Sequence, residues 1–313
     1  MTIWAAMALA AAASAPVAIE IEAAGPAGPL RGTLLTPAEA PGAPVVLILP
    51  GSGATDRDGN NPMAGVRASP YRLLAEGLAE RGIATIRIDK RGILGSAGAG
   101  SANAVTIADY AADTHQWVRA AREWTGARCV WLLGHSEGGL IALAAGQNPE
   151  DLCGLILVSA AGRPMGSVLR EQLRANPANA PLLDDAFAAI ASLEAGRRVE
   201  QLRPELMPLF APPLQGYWID LLSHDPAQLS AQLELPVLIV QGLRDLHVNE
   251  ADARRLAEAR PAARLVLLPA VNHVLKVVAT DDRAANAATY GDPSLPLAPG
   301  VVEAIADFIA AAR

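Results

Sequence analysis

Residues 134–138 read Gly134-His135-Ser136-Glu137-Gly138, a G-x-S-x-G sequence between the apolar run Cys129–Leu133 and a helical pattern that starts at Gly138. A strand that turns directly into a helix needs a strained corner residue, and glycines on either side remove the side chains that would collide there. The corner lifts the Ser136 hydroxyl above the sheet, at the positive end of the following helix, where developing negative charge is favoured. That context makes Ser136 a candidate nucleophile.

A serine hydroxyl is weak until a base takes its proton and a carboxylate orients the base. The five histidines are His115, His135, His224, His247 and His273. His115 lies in a helical stretch and reads as a solvated helix-face residue. His135 belongs to the elbow, its side chain directed beside Ser136, and His224 falls in a helical insertion. His273 follows the last strand, and His247 and Asp245 follow the strand before it, both at the strand ends where open α/β sheets place their sites. The chain order serine, acid, histidine then selects Asp245 as acid and His273 as base. His247 would need an acid from elsewhere. Of the rival acids, Asp252 is explained by the first turn of a helix, and Asp220 and Asp225 lie in the insertion.

A tetrahedral intermediate needs N–H donors for its oxyanion. One is the backbone of Glu137, the residue after the nucleophile. The other is expected from the loop Pro50-Gly51-Ser52-Gly53-Ala54-Thr55-Asp56-Arg57-Asp58-Gly59-Asn60, at Ser52, with Gly53 as the alternative. The loop lacks both Gly-rich phosphate-binding patterns. Asp56, Arg57 and Asp58 read as charges that hold this loop, and Asp89, Lys90 and Arg91 as a turn bracing its neighbours. The Glu137 side chain has an Arg as its expected partner.

Positioning such residues takes a sheet. Val17–Glu22 and Leu30–Leu35 alternate like a hairpin. Pro44–Leu49, Ile83–Ile88, Cys129–Leu133, Gly154–Val158, Pro236–Val240 and Arg264–Leu268 are short apolar runs of the kind buried in a parallel sheet. Helical patterns at Tyr71–Glu80, Ile107–Trp124, Gly138–Ala145, Glu250–Ala259 and Val301–Ala312 separate or follow them. The expected fold is α/β: a mostly parallel eight-stranded sheet with helices on both faces. Residues 16–162 and 233–313 form the core, and 163–232, a stretch too long for a plain loop, form a helical cap.

The 313 residues are 51% hydrophobic and 18% charged with a net charge of −7, which excludes wholesale disorder and leaves no basic field for nucleic acid. Of 25 basic residues only Lys90 and Lys276 are lysines, read as genome base bias. Residues 1–15 have the character of a signal peptide, with Ala13-Ser14-Ala15 as the cut, although no Lys or Arg precedes the apolar run and Pro16 would follow the cleavage. An exported, periplasmic or secreted protein is expected, otherwise a cytoplasmic one; no integral membrane span is expected in the mature chain, and oligomeric state is not legible. No cofactor or metal is expected: the histidines lack HExxH spacing and neither cysteine has a C-x-x-C partner. Cys129 and Cys153 read either as buried free thiols or, given export, as a bridge across neighbouring strands.

The GHSEGG elbow, the GSGATDRDG loop and Asp89-Lys90-Arg91-Gly92 resemble those of a bacterial group of α/β-hydrolase-fold serine carboxylesterases, over essentially everything after Val17. The resemblance implies hydrolysis of small carboxylic esters by Ser136, Asp245 and His273. Pro50 departs from the group, which often has His before this glycine. Short to medium acyl chains are expected, with Phe210, Tyr217 and Trp218 of the cap as candidate pocket residues, or as residues that only seal the cap. Thioester, peptide or acyl-transfer chemistry on the same residues, and a ligand-binding hydrolase homologue without catalysis, are the alternatives.

Overall fold

The computed structural model describes residues 15–38 and 42–312, so the leader expected at 1–15 lies, but for Ala15, outside the described residues. Eight strands are ordered β1-β2-β4-β3-β5-β6-β7-β8 across one sheet. They are β1 (Val17–Ala23), β2 (Leu30–Thr36), β3 (Val45–Leu49), β4 (Ala84–Ile88), β5 (Val130–His135), β6 (Leu152–Val158), β7 (Val237–Gly242) and β8 (Arg264–Leu268). β1 pairs with β2 and β2 with β4 antiparallel, and every other pairing is parallel.

The continuous apolar runs became central strands because both their faces are covered. Leu47, Ile86, Leu132 and Leu157 point to one face, against Trp117 of α2 (Ile107–Thr125) and Leu140 of α3 (Glu137–Ala145). Val46, Ile48, Leu133 and Ile156 alternate to the other face, against α1 (Pro70–Glu80) and the C-terminal helix. Each such fully buried side chain stabilises the fold by roughly 1.5–3 kcal/mol in transfer terms. At the N-terminus of α2, Thr106 and Asp109 form a reciprocal capping box, and Gly126 closes its end in the left-handed region at φ 72°.

Five helices lie between β6 and β7: α4 (Met165–Ala175), α5 (Leu183–Glu194), α6 (Met207–Phe210), α7 (Gln215–Leu222) and α8 (Pro226–Ala231). Leu169, Ile190, Leu193, Phe210 and Leu222 give this segment an apolar cluster of its own. α8 instead packs on α3 and on α9 (Glu250–Ala259). Two helices follow β8: α10 (Arg283–Ala288) and α11 (Val301–Ala311). α10 has no counterpart in the sequence reading.

Cys129, one residue before β5, and Cys153 in β6 form a disulfide. The bridged alternative is therefore the one realised, and it sits at the end of the sheet opposite the elbow. Among the described residues no helix is long and apolar enough to cross a membrane, and no group of His, Cys, Asp and Glu is arranged to hold a metal ion.

Candidate active site

β5 ends at His135 and α3 begins at Glu137, so Ser136 alone makes the corner, at φ 55° and ψ −121°. A side chain at Gly134 would run into the Gly138 carbonyl, and one at Gly138 into the Leu49 carbonyl. The flanking glycines are thus required by close backbone packing, which holds the strained serine in place. Glu137 opens α3, and its N–H belongs to a first turn that offers it no partner within the helix.

Ser136 and His273 line one cavity of about 280 Å³, together with Ser52, Gln172, His247 and Tyr290. His273 Nδ1 lies 2.8 Å from Asp245 Oδ2, whose side chain is fully buried. Burial alone would raise the Asp245 pKa. The adjacent His273 and the N–H groups of Val248 and His247, which donate to Oδ1 at 2.9 and 2.8 Å, overcome it and hold the carboxyl below its usual range. The three residues selected from chain order are therefore brought to one place. The rival acids are occupied elsewhere. Asp252 pairs with Arg163, Asp220 accepts from the Ile107 N–H, and Asp225 caps α8 and pairs with Arg255. His247 stacks beside His273 with ring centroids 4.8 Å apart. His115 is half-buried and bonds to the Ala145 carbonyl at 3.1 Å, in place of the solvated face expected for it.

Sequence reasoning missed how the loops are fixed around this cavity. The Gly51 N–H donates to the Tyr71 hydroxyl at 3.0 Å, and that hydroxyl lies 2.8 Å from His135 Nδ1. With its oxygen accepting from Gly51, the tyrosine gives its own hydrogen to Nδ1. His135 Nε2 then carries the ring hydrogen and donates to the His273 carbonyl at 2.8 Å. Burial pushes the His135 pKa down to about 3, and the His273 charge adds to it, so the ring stays neutral and the chain keeps its direction. A single file of hydrogen bonds thereby joins the loop after β3 to the loop that carries His273.

Lys90, in the turn after β4, does a second job. Its Nζ donates to the Gly51 carbonyl at 2.7 Å and pairs with Glu137 Oε1 at 3.1 Å, both side chains being buried. The partner of Glu137 is this lysine and not the arginine expected. The Gly51–Ser52 peptide is trans, so pinning its carbonyl on Lys90 turns the Ser52 N–H the opposite way. Ser52 borders the Ser136 cavity, and Gly53 does not. Arg57, Asp56, Asp58 and Asp89 hold the loop as expected: Arg57 pairs with Asp89 at 2.7 Å and with Glu20 at 2.5 Å, Asp58 meets Arg87, and Asp56 accepts from the N–H groups of Asp58 and Asn60.

The pocket expected from the cap is a correction. Phe210, Tyr217 and Trp218 are absent from the lining of the Ser136 cavity. Phe210 is fully buried against Trp218, whose indole N–H donates to the Leu209 carbonyl at 2.7 Å, and Tyr217 stacks on Tyr110. These rings cover the cap's own apolar cluster and its seam with the sheet, the larger demand for buried aromatic area. The cap residue that reaches the cavity is Gln172 of α4, whose amide is held on the His247 carbonyl at 2.8 Å.

The strand order, the strained serine between β5 and α3 and the loops after β7 and β8 define an α/β hydrolase. The chain belongs to the serine aminopeptidase S33 family (Hydrolase_4), which it matches over residues 65–229. Esterase EstD of Thermotoga maritima is 25% identical over 253 residues, 79% of this chain; the chain spans 58% of that relative's length. Among solved structures, ferulic acid-bound Est1E from Butyrivibrio proteoclasticus superposes with a TM-score of 0.60 at 19% identity, covering 93% of this chain and 98% of that one. The Pyrococcus furiosus esterase Pf2001 superposes with 0.57 at 13%, covering 95% and 93%. At those identities the likeness is one of fold.

Proposed function

We propose that the protein is a carboxylesterase that hydrolyses short to medium acyl esters through an acyl-serine intermediate. The observation that carries the reading is the hydrogen bond between His273 Nδ1 and the buried Asp245, which holds from behind a histidine that lines the same cavity as Ser136. With Nδ1 held by Asp245, His273 Nε2 takes the Ser136 proton as Oγ attacks the ester carbonyl. The N–H groups of Ser52 and Glu137 hold the oxyanion, and the imidazolium returns its proton to the departing alkoxide. Water then repeats the sequence on the acyl-enzyme, releasing acid and free Ser136. The cavity of about 280 Å³ suits a modest acyl group. The relatives named as esterases support the ester class. Export belongs to the same proposal, supported by the Cys129–Cys153 bridge, since disulfides persist in oxidising compartments.

The family's description favours a second reading, an aminopeptidase. Such an enzyme must hold the ammonium of a peptide terminus, yet among the described residues no Asp or Glu borders this cavity, so we place ester hydrolysis first. The test compares p-nitrophenyl acetate, butyrate and octanoate, with aminoacyl-amides alongside, for wild type and Ser136→Ala, and maps the peptide labelled by a fluorophosphonate. Ester turnover and labelling at Ser136, both lost in the variant, are expected. Turnover rising steadily to long chains would defeat the size preference, and amide turnover exceeding ester turnover would favour the peptidase.

A further inference from the structure

The cavity that holds Ser136 does not end at Tyr290. A second cavity of about 500 Å³ continues it, and Ala64, Gln172, His247 and Tyr290 border both. Beyond that partition the wall gains Arg283, the first residue of α10. Among the described residues, Arg283 is the one permanently charged side chain on either lining, and no carboxylate accompanies it.

Arg283 is unpaired although aspartates flank it in sequence, because both are engaged. Asp281 pairs with Arg244, and Asp282 accepts from the Ala284 N–H at 2.8 Å as the cap of α10. Among the described residues the Arg283 side chain makes no ion pair or hydrogen bond. The Tyr290 ring forms the partition, while its hydroxyl is buried away from solvent and is not offered to either cavity. A guanidinium carries five N–H donors and no acceptor, so this wall suits an anionic oxygen and not a cation.

We propose that this second cavity is an anion subsite, and that the preferred substrates are esters carrying a carboxylate several carbons from the scissile bond, bound by Arg283. The inference rests on the esterase reading and narrows its substrate class. The spacing follows from the row of rings between the two ends: His273 to His247 is 4.8 Å and His247 to Tyr290 5.8 Å between centroids. An ester with its carboxylate on the adjacent carbon is too short to span that row.

Mono(4-nitrophenyl) adipate and 4-nitrophenyl hexanoate have the same acyl length and differ in the terminal carboxylate. A second pair, the butyrate esters of 4-hydroxybutanoate and of butanol, places the charge on the alcohol side. In at least one pair wild type should favour the anionic member in kcat/KM by about tenfold, borne by KM and shrinking with added salt. Arg283→Gln should bring that ratio near one, and Arg283→Lys should keep part of it. Equal kcat/KM within both pairs, or a preference that survives Arg283→Gln, overturns the subsite. Turnover of the neutral members reports the esterase reading separately. Calorimetric titration with adipate needs no turnover: binding that Arg283→Gln abolishes supports the subsite, and binding that the variant leaves intact, or no binding to wild type, overturns it.

Discussion

His135 is 4% exposed, wedged between the Tyr71 hydroxyl and the His273 carbonyl. Its pKa falls from 6.5 to about 3 in the folded state, with burial the largest cause. Between those values the unfolded chain binds a proton that the folded chain refuses, so stability is lost as pH drops through that window. Urea unfolding of wild type against His135→Gln at pH values from about 4 to 6 should show a shallower fall in the variant. The difference should approach one proton, or about 1.4 kcal/mol per pH unit. Equal slopes would mean the ring is not held neutral by burial. At this scale Ser136, Asp245 and His273 were legible because their loops follow strands in a fixed order. Tyr71 was not, because a tyrosine on a helix carries no mark of the loop it will meet. A signal did exist in the lysines, read as base bias. Lys90 and Lys276 are both buried, and each donates its amine to a loop carbonyl, of Gly51 and Leu295 respectively. A compact ammonium on a flexible stem suits that task better than a planar guanidinium fork.

α1 matters to the site through Tyr71, near its start, since that hydroxyl joins the loop after β3 to the elbow. Tyr71→Phe keeps the ring in the core and strands both the Gly51 N–H and His135 Nδ1, each worth about 1–3 kcal/mol when left unsatisfied. Ester hydrolysis should fall about 10- to 100-fold, carried by kcat, with circular dichroism unchanged; wild-type kcat would show that the loops hold their positions without the bridge. The strands were readable to within two residues at their ends, because runs such as Val45–Leu49 are apolar on both faces and have no other place to go. α10 was not readable: six residues, RAANAA, carry no apolar period. The cap failed for the opposite reason. Its aromatics are a strong apolar signal, but the cap's cluster claims Phe210 and Trp218, and composition does not say which neighbour wins.

The whole molecule is stapled once, by Cys129–Cys153, which closes a sequence separation of 24 around α3 and the elbow. A loop of that length constrains the unfolded chain by about 3 kcal/mol in the chain-entropy model. Reduction, verified by a mass gain of about 2 Da, should therefore lower the denaturation midpoint. Ester turnover at moderate temperature should stay the same, because the bridge joins the starts of β5 and β6 while Ser136 stands at the other end of β5. An unchanged midpoint would show that the sheet needs no staple, and lost turnover would show that the two ends of β5 are coupled. The arrangement separates speed from lifetime. A reducing compartment would leave each molecule working at its full rate and shorten the time before it unfolds, so redox conditions would set how long the activity persists and not how fast it runs.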